Sequence, residues 1–299
     1  MTNRSGLSLL YGIVIALLMI PACREPQSVP PPSRLLIRCD DIGMCHTVNL
    51  AAEQLLESGL PVSMSVMFVC PWYQEAVAIL KEHPEISVGV HLTLNAEWKN
   101  YRWGPVSGAK AVPSLVDNCG YFFPTRADFH AAQPDPREVE SELRAQIERG
   151  LASGLRIDYV DYHMGTAVST PELLQIVEKL AGEYKLGISR GFGEQDLKPI
   201  YSVLPEEKTD SLLVIIDRIP LDRLNLMVFH IGQENPEMDA LIDMNEVGLA
   251  QMSHHRNAEL RALLSHGFHQ KIQEKNVQLL TYRELIDEVG LENVKLPEM

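Results

Sequence analysis

Leu35-Leu36-Ile37-Arg38-Cys39-Asp40-Asp41 is an apolar run that ends in two adjacent carboxylates, with Gly43 close behind. A short apolar run bounded by breakers reads as a buried strand, so the two acids stand where strand gives way to loop. Neighbouring strand residues point to opposite sides. Asp40 and Asp41 therefore divide their labour, unless the chain is already turning there.

The arrangement recurs along the chain. Residues 86–90 end at His91, residues 157–160 lead to Asp161 and His163, and residues 226–229 end at His230. In a barrel or open sheet of parallel strands the carboxyl ends open on one face, and that face carries the active site. One Asp and two His around a divalent cation, with a further Asp and His beside them, is the equipment of metal-assisted hydrolysis.

Between these runs the chain alternates strand with helix. Helices are expected over Val48–Glu57, Tyr73–Glu82, Arg137–Ser153, Glu206–Asp217 and Asn257–Glu274. Thr170-Pro171 reads as an N-cap and first helical residue, opening a helix that runs to Tyr184. Further strands are expected at 63–69, 187–190 and 277–281. Repeated β-then-α units imply parallel strands with right-handed crossovers, and seven or eight of them in one domain point to a distorted or incomplete (β/α) barrel of α/β class. No Gly-rich phosphate motif argues for a nucleotide.

The 299 residues are 45% hydrophobic and 22% charged, enough apolar material for one large core. Residues 1–22 read as a signal peptide of lipoprotein type: Arg4, an uncharged run from Leu7 to Ile20, and Ala22 before Cys23, whose thiol would take the lipid. Plain secretion and an uncleaved anchor are the other readings. Residues 23–33, rich in proline, form a tether, and 34–299 form the domain. Contact with a membrane is expected only through that lipid. Arg4 is the one charge in residues 1–22, so the remainder has 25 basic residues, one fewer than the whole chain's 26, against 40 acidic. That balance excludes nucleic acid as a partner and suits a neutral or cationic substrate. Cys39, Cys45, Cys70 and Cys119 show no paired spacing, and no structural disulfide is expected.

One region breaks the rhythm. No helix is legible between Thr93 and His130, yet seven aromatics lie there, Trp98, Tyr101, Trp103, Tyr121, Phe122, Phe123 and Phe129. A long insertion after a site strand is usually functional. Trp98, Tyr101 and Trp103 are the candidates for packing against a sugar ring; the bland alternative makes the aromatics the insertion's own small core.

Together, residues 35–43, 88–94 (Val-Gly-Val-His-Leu-Thr-Leu), 159–163 (Tyr-Val-Asp-Tyr-His), Phe229-His230 and Arg256 through Leu285 resemble the YdjC/ChbG-like carbohydrate deacetylases, relatives of the NodB-type polysaccharide deacetylases. The likeness spans nearly all of the chain after the leader. It implies a (β/α) barrel-like fold, removal of acetyl groups from N-acetylated sugars, one divalent metal ion (zinc or magnesium) held by Asp41, His91 and His163, and Asp40 as catalytic base. Three departures stand out: His163 is followed by Met164-Gly165-Thr166-Ala167 rather than more histidines, Tyr159 replaces a His, and Ile42 replaces a Phe. None removes a presumed ligand.

In the mechanism expected from these residues, Asp40 takes a proton from the attacking water, His230, at another strand end, protonates the departing amine, and Arg190, ending its own strand, keeps Asp40 ionised by charge pairing. Asp158 and Asp161 are read as orienting or structural carboxylates, and His254, His255, His266 and His269 as solvated surface. A hydrolase of another amide or ester would use the same residues. A non-catalytic sugar-binding lipoprotein would need the aromatics but not Asp40, and an oligomer is compatible with the sequence.

Overall fold

The computed structural model describes Met1, residues 32–246 and residues 248–295. Apart from Met1, the proposed leader lies outside the described residues, as does most of the tether. Among the described residues eight parallel strands carry the domain: β1 (Ser33–Ile42), β2 (Ser63–Val66), β3 (Ser87–Leu92), β4 (Ile157–Tyr162), β5 (Gly187–Ile188), β6 (Gln195–Asp196), β7 (Leu224–Phe229) and β8 (Val277–Leu280). The helices are α1 (His46–Glu57), α2 (Tyr73–Lys81), α3 (Arg126–Ala131), α4 (Pro136–Ala152), α5 (Pro171–Tyr184), α6 (Lys208–Asp217), α7 (Pro236–Asp239), α8 (Met252–Leu264), α9 (His266–Glu274) and α10 (Tyr282–Val289).

The sheet runs β5-β4-β3-β2-β1-β7-β6 and curls into an incomplete (β/α) barrel. One edge of β1 pairs β7 along its length. The other edge is shared: Ser33 to Leu36 pair β8, and from Arg38 onward the partner is β2. No ladder joins β5 to β6 among the described residues, which is why the barrel stays open there. Among the described residues no helix is long and apolar enough to cross a membrane.

Strand alternation sorts the core from the site. Leu35, Ile37 and Cys39 pack into the main core with the helices. Leu36 points the other way, into a second cluster with Tyr159, Leu226, Leu280 and Tyr282, and Arg38 and Asp40 follow it on that concave face by the two-residue period. The rings of Tyr159 and Tyr282 pack there with centroids 4.1 Å apart, tilted by 35°. Gly89 makes this packing feasible, because a Cβ at that position would lie 2.5 Å from the Tyr159 ring.

The strands expected at 63–69 and 187–190 end earlier, at Val66 and Ile188, and two expectations about helices need correction. The helix expected over 257–274 is two helices, α8 and α9, because Ser265 leaves the helical conformation and caps α9, its hydroxyl accepting from the Phe268 N–H. The insertion contains a short helix, α3, opened by Thr125, whose side chain accepts from the Asp128 N–H. Thr170 caps α5 as its sequence indicated, accepting from Leu173. All four described cysteines are free, with only Cys119 exposed.

Candidate active site

At the end of β1 the chain does turn. Asp41 takes φ 64, in the left-handed region, and the register with β2 shifts between Cys39 and Ile42. Bulges of this kind re-aim side chains beside active sites, and Asp is one of the residues that tolerate the left-handed conformation. The turn brings Asp41 beside His91, at the end of β3, and His163, which directly follows β4.

Three ligand-capable atoms form a nearly equilateral triangle. Asp41 Oδ1 stands 3.4 Å from His91 Nε2 and 3.2 Å from His163 Nδ1, and the two imidazole nitrogens are 3.3 Å apart. All three residues are buried, and Asp41 Oδ1 makes no hydrogen bond. The remaining imidazole nitrogens are engaged by carboxylates: Asp161 Oδ2 accepts from His91 Nδ1 at 2.9 Å, and Glu97 Oε2 accepts from His163 Nε2 at 3.0 Å. Each ring thereby presents its other nitrogen to Asp41, and a carboxylate behind the ring is the arrangement usual for metal-bound histidines.

The electrostatics favour positive charge at this centre. Burial disfavours charge on both rings, but Asp161 and Asp40 outweigh it at His91 and lift that imidazole to about 10. Glu97, with Asp41, lifts His163 to about 9. Burial also works against the Asp41 carboxylate, and Arg256, whose Nη2 donates to Oδ2 at 2.6 Å, overrides it and holds Asp41 well below the usual carboxylate range. Four carboxylates (Asp40, Asp41, Glu97, Asp161) therefore surround this centre against two guanidiniums, Arg38 and Arg256. The excess negative charge suits a dication. Donor atoms about 2.0–2.2 Å from one tetrahedral cation stand roughly 3.3–3.6 Å from each other, so the triangle, its unbonded oxygen and its N,N,O donor set fit a divalent metal.

Asp40 sits behind this centre. Its oxygens accept from Arg38 Nε at 2.7 Å and Nη2 at 2.8 Å, and Arg38 Nε also lies 3.0 Å from Asp161. Burial would raise the Asp40 carboxyl, but Arg38 and then His91 bring it down to about 2. Arg38 is itself held from below: its Nη1 donates to Ser189 Oγ, which is in turn hydrogen-bonded to the Tyr282 hydroxyl. In front lies a cleft of about 660 Å³ whose lining includes Asp41, Glu97, Trp98, His163, His230 and Arg256.

A family model for YdjC-like proteins matches residues 34–274, which takes in every residue of this centre. The chain belongs to the YdjC-like family. It is 31% identical over 261 residues to the carbohydrate deacetylase of Brevibacillus brevis, covering 84% of this chain and 99% of that one. With the carbohydrate deacetylase of Geobacillus stearothermophilus it shares 29% over 262 residues, 85% and 98% of the two chains. The crystal structure of a putative cellobiose-phosphate cleavage protein from Enterococcus faecalis superposes with a TM-score of 0.71 at 23% identity, covering 85% of this chain and 99% of that one. That likeness bears on the fold.

Several residues of this YdjC-like chain lie elsewhere than its sequence led us to expect. Arg190 does not reach Asp40; it forms a two-pronged ion pair with Asp196 at 2.9 and 2.8 Å, and Arg38 fills the place expected of it. Tyr101 and Trp103 turn away from the cleft. The Tyr101 hydroxyl donates to the Met44 carbonyl, and Trp103, buried, donates through Nε1 to the Asn95 carbonyl at 2.7 Å and meets the His163 ring edge-on. Of the three aromatic candidates only Trp98 lines the cleft, nearly fully buried, with Arg256 5.8 Å from its ring. Phe122 and Phe129 are wholly buried and, with Trp98 and Trp103, join the main core rather than a separate core of the insertion. Asp158 binds Ser87 and Arg283 at the far end of the sheet. His255 is buried on α8 rather than solvated, whereas His254 is exposed and faces Glu234.

Arg38, Glu97 and Arg256 were given no role from sequence. Arg38 was findable, since it lies two residues before Asp40 on one strand and so on the same face. Glu97 and Arg256 reach the centre from a loop and a distant helix, and nothing local marks them.

Proposed function

We propose that the chain hydrolyses the acetamide of an N-acetylated sugar, with a divalent cation held by Asp41, His91 and His163. The observation that carries this is the unbonded, buried Asp41 Oδ1 facing two imidazole nitrogens, each on a ring whose opposite nitrogen is held by a carboxylate, in a family whose named relatives are carbohydrate deacetylases. Zinc suits two imidazole donors better than magnesium does. When bound, the cation would polarise the acetyl carbonyl and make water more acidic.

The chain's own residues supply the rest. Asp40, kept ionised by Arg38, accepts the proton of the attacking water; the guanidinium occupies two of the roughly four acceptor positions of the carboxylate and leaves the others free. His230, following β7 and lining the cleft, gives a proton to the departing amine. Trp98 offers an apolar wall to the sugar ring, while Asp161 and Glu97 hold the two imidazoles in orientation.

The test is acetate release from a panel of N-acetylated oligosaccharides, with and without chelator. Release that stops on chelation and returns on adding zinc or magnesium is expected. Release indifferent to chelation, or none from any member of the panel while other amides or esters are cleaved, overturns the proposal.

A further inference from the structure

Behind His230 lies a charge pair that the reaction just described does not use. Lys208, on α6, is fully buried, and so is Glu259, on α8; Lys208 Nζ meets Glu259 Oε1 at 2.9 Å. The other two ammonium hydrogens go to the carbonyls of Ile200 and Tyr201, each at 2.7 Å. The other Glu259 oxygen accepts the backbone N–H of His230 at 2.7 Å. The rings of Tyr201 and His230 meet edge-on 5.2 Å apart, and both line the cleft.

We infer that the Lys208–Glu259 pair is a positioning device which fixes His230 and Tyr201 relative to each other across the cleft wall. Desolvating two charges is expensive, and an apolar pair of similar volume would hold α6 against α8 at less cost. What an apolar pair cannot do is bind three backbone groups of two different segments at once. The ammonium, with three divergent donors, gathers two carbonyls of the 200–201 loop, and the carboxylate ties that gathering point to the end of β7. The pair thus transmits the packing of α6 on α8 to the imidazole of His230. This rests on the reading of His230 as the proton donor, and misplacing such a group by about 1 Å costs up to ~10²-fold.

The experiment uses the full chain with its metal. Glu259→Asp keeps the charge but is one methylene too short to span Lys208 and the His230 amide. It is expected to lower kcat at least about tenfold while KM changes less than about threefold. In a His230→Ala background the same change should add less than about twofold. In parallel, the ring resonance of His230 should shift or broaden in both Glu259→Asp and Lys208→Arg, whose planar fork cannot reproduce three divergent donors. The ring signal does not depend on the substrate, so it separates failure of this inference from failure of the deacetylase reading. An equal kcat loss with and without His230 overturns the inference, because the pair then acts only on stability. An unaltered ring resonance in a folded variant overturns it as well.

Discussion

Arg38 and Asp40, two residues apart on β1, face each other in a two-pronged ion pair of 2.7 and 2.8 Å, with each partner less than 5% exposed. The strand period puts both on the concave face, so the pair needs no help from a loop to form. Removing Arg38 would leave a buried carboxylate without its cation. Arg38→Met is therefore expected to destabilise the domain by about 3–5 kcal/mol, measured by urea unfolding. A loss below about 1 kcal/mol would mean that water or another group satisfies Asp40.

Asp40 and Asp41 are expected to fail differently. Asp40→Asn should leave metal content nearly unchanged and lower kcat at least ~10²-fold. Asp41→Asn should weaken metal binding, with activity partly recovered at high metal concentration. Metal analysis beside steady-state kinetics separates the two, and equal metal loss from both would mean that the pair binds the cation jointly.

Glu97 and Asp161 hold the imidazoles by the nitrogens that do not face Asp41. Glu97→Gln is expected to weaken metal affinity about 10–100-fold with little effect on the melting temperature. Titration with a competing chelator reads this out; unchanged affinity would leave Glu97 with no part in the centre.

Trp98 is the insertion aromatic that reaches the cleft, and Trp103 packs behind His163. Trp98→Ala is expected to raise KM with a smaller change in kcat. Trp103→Phe, which removes the donor to Asn95, should disturb kcat and metal content instead. The opposite assignment of KM and kcat effects would reverse these roles.

For the leader and Cys23 we propose a lipid anchor. Cys23→Ser should release the protein from the membrane fraction with its unfolding profile unaltered. If that variant stays with the membrane, an uncleaved apolar segment holds it there instead.

The sequence made the barrel legible because parallel strands, covered on both faces, read as continuous apolar runs; those ending at Asp40-Asp41, His91, His163 and His230 stood out as a set. The same local reading assigned Asp40 its counter-ion wrongly. Arg190 and Arg38 both lie on or beside strands, and choosing between them depended on Asp196, eight residues past the end of β5, being near enough to engage Arg190. Aromatic content marked the insertion as unusual but did not reveal that Trp103 and Phe122 turn inward. Which way a ring faces is decided by what packs behind it, and at Trp103 that is the Asn95 carbonyl. Glu97, Arg256, Lys208 and Glu259 were silent for a related reason: their partners are tens to hundreds of residues away.

The shared edge of β1 also bears on how the chain acquires its shape. β1 is the first strand to be made, yet its Leu36 pairs with Leu280, about 240 residues later. Its other edge waits for β7, about 190 residues downstream. Contacts so remote in sequence slow folding, because the loop must close before the pairing rewards it. Until β7 and β8 emerge, the strand bearing Arg38, Asp40 and Asp41 has nothing along one whole side. The last two strands of the described residues are thus the ones that complete β1, and a chain cut short before Val277 would lack one of the three strands that flank it.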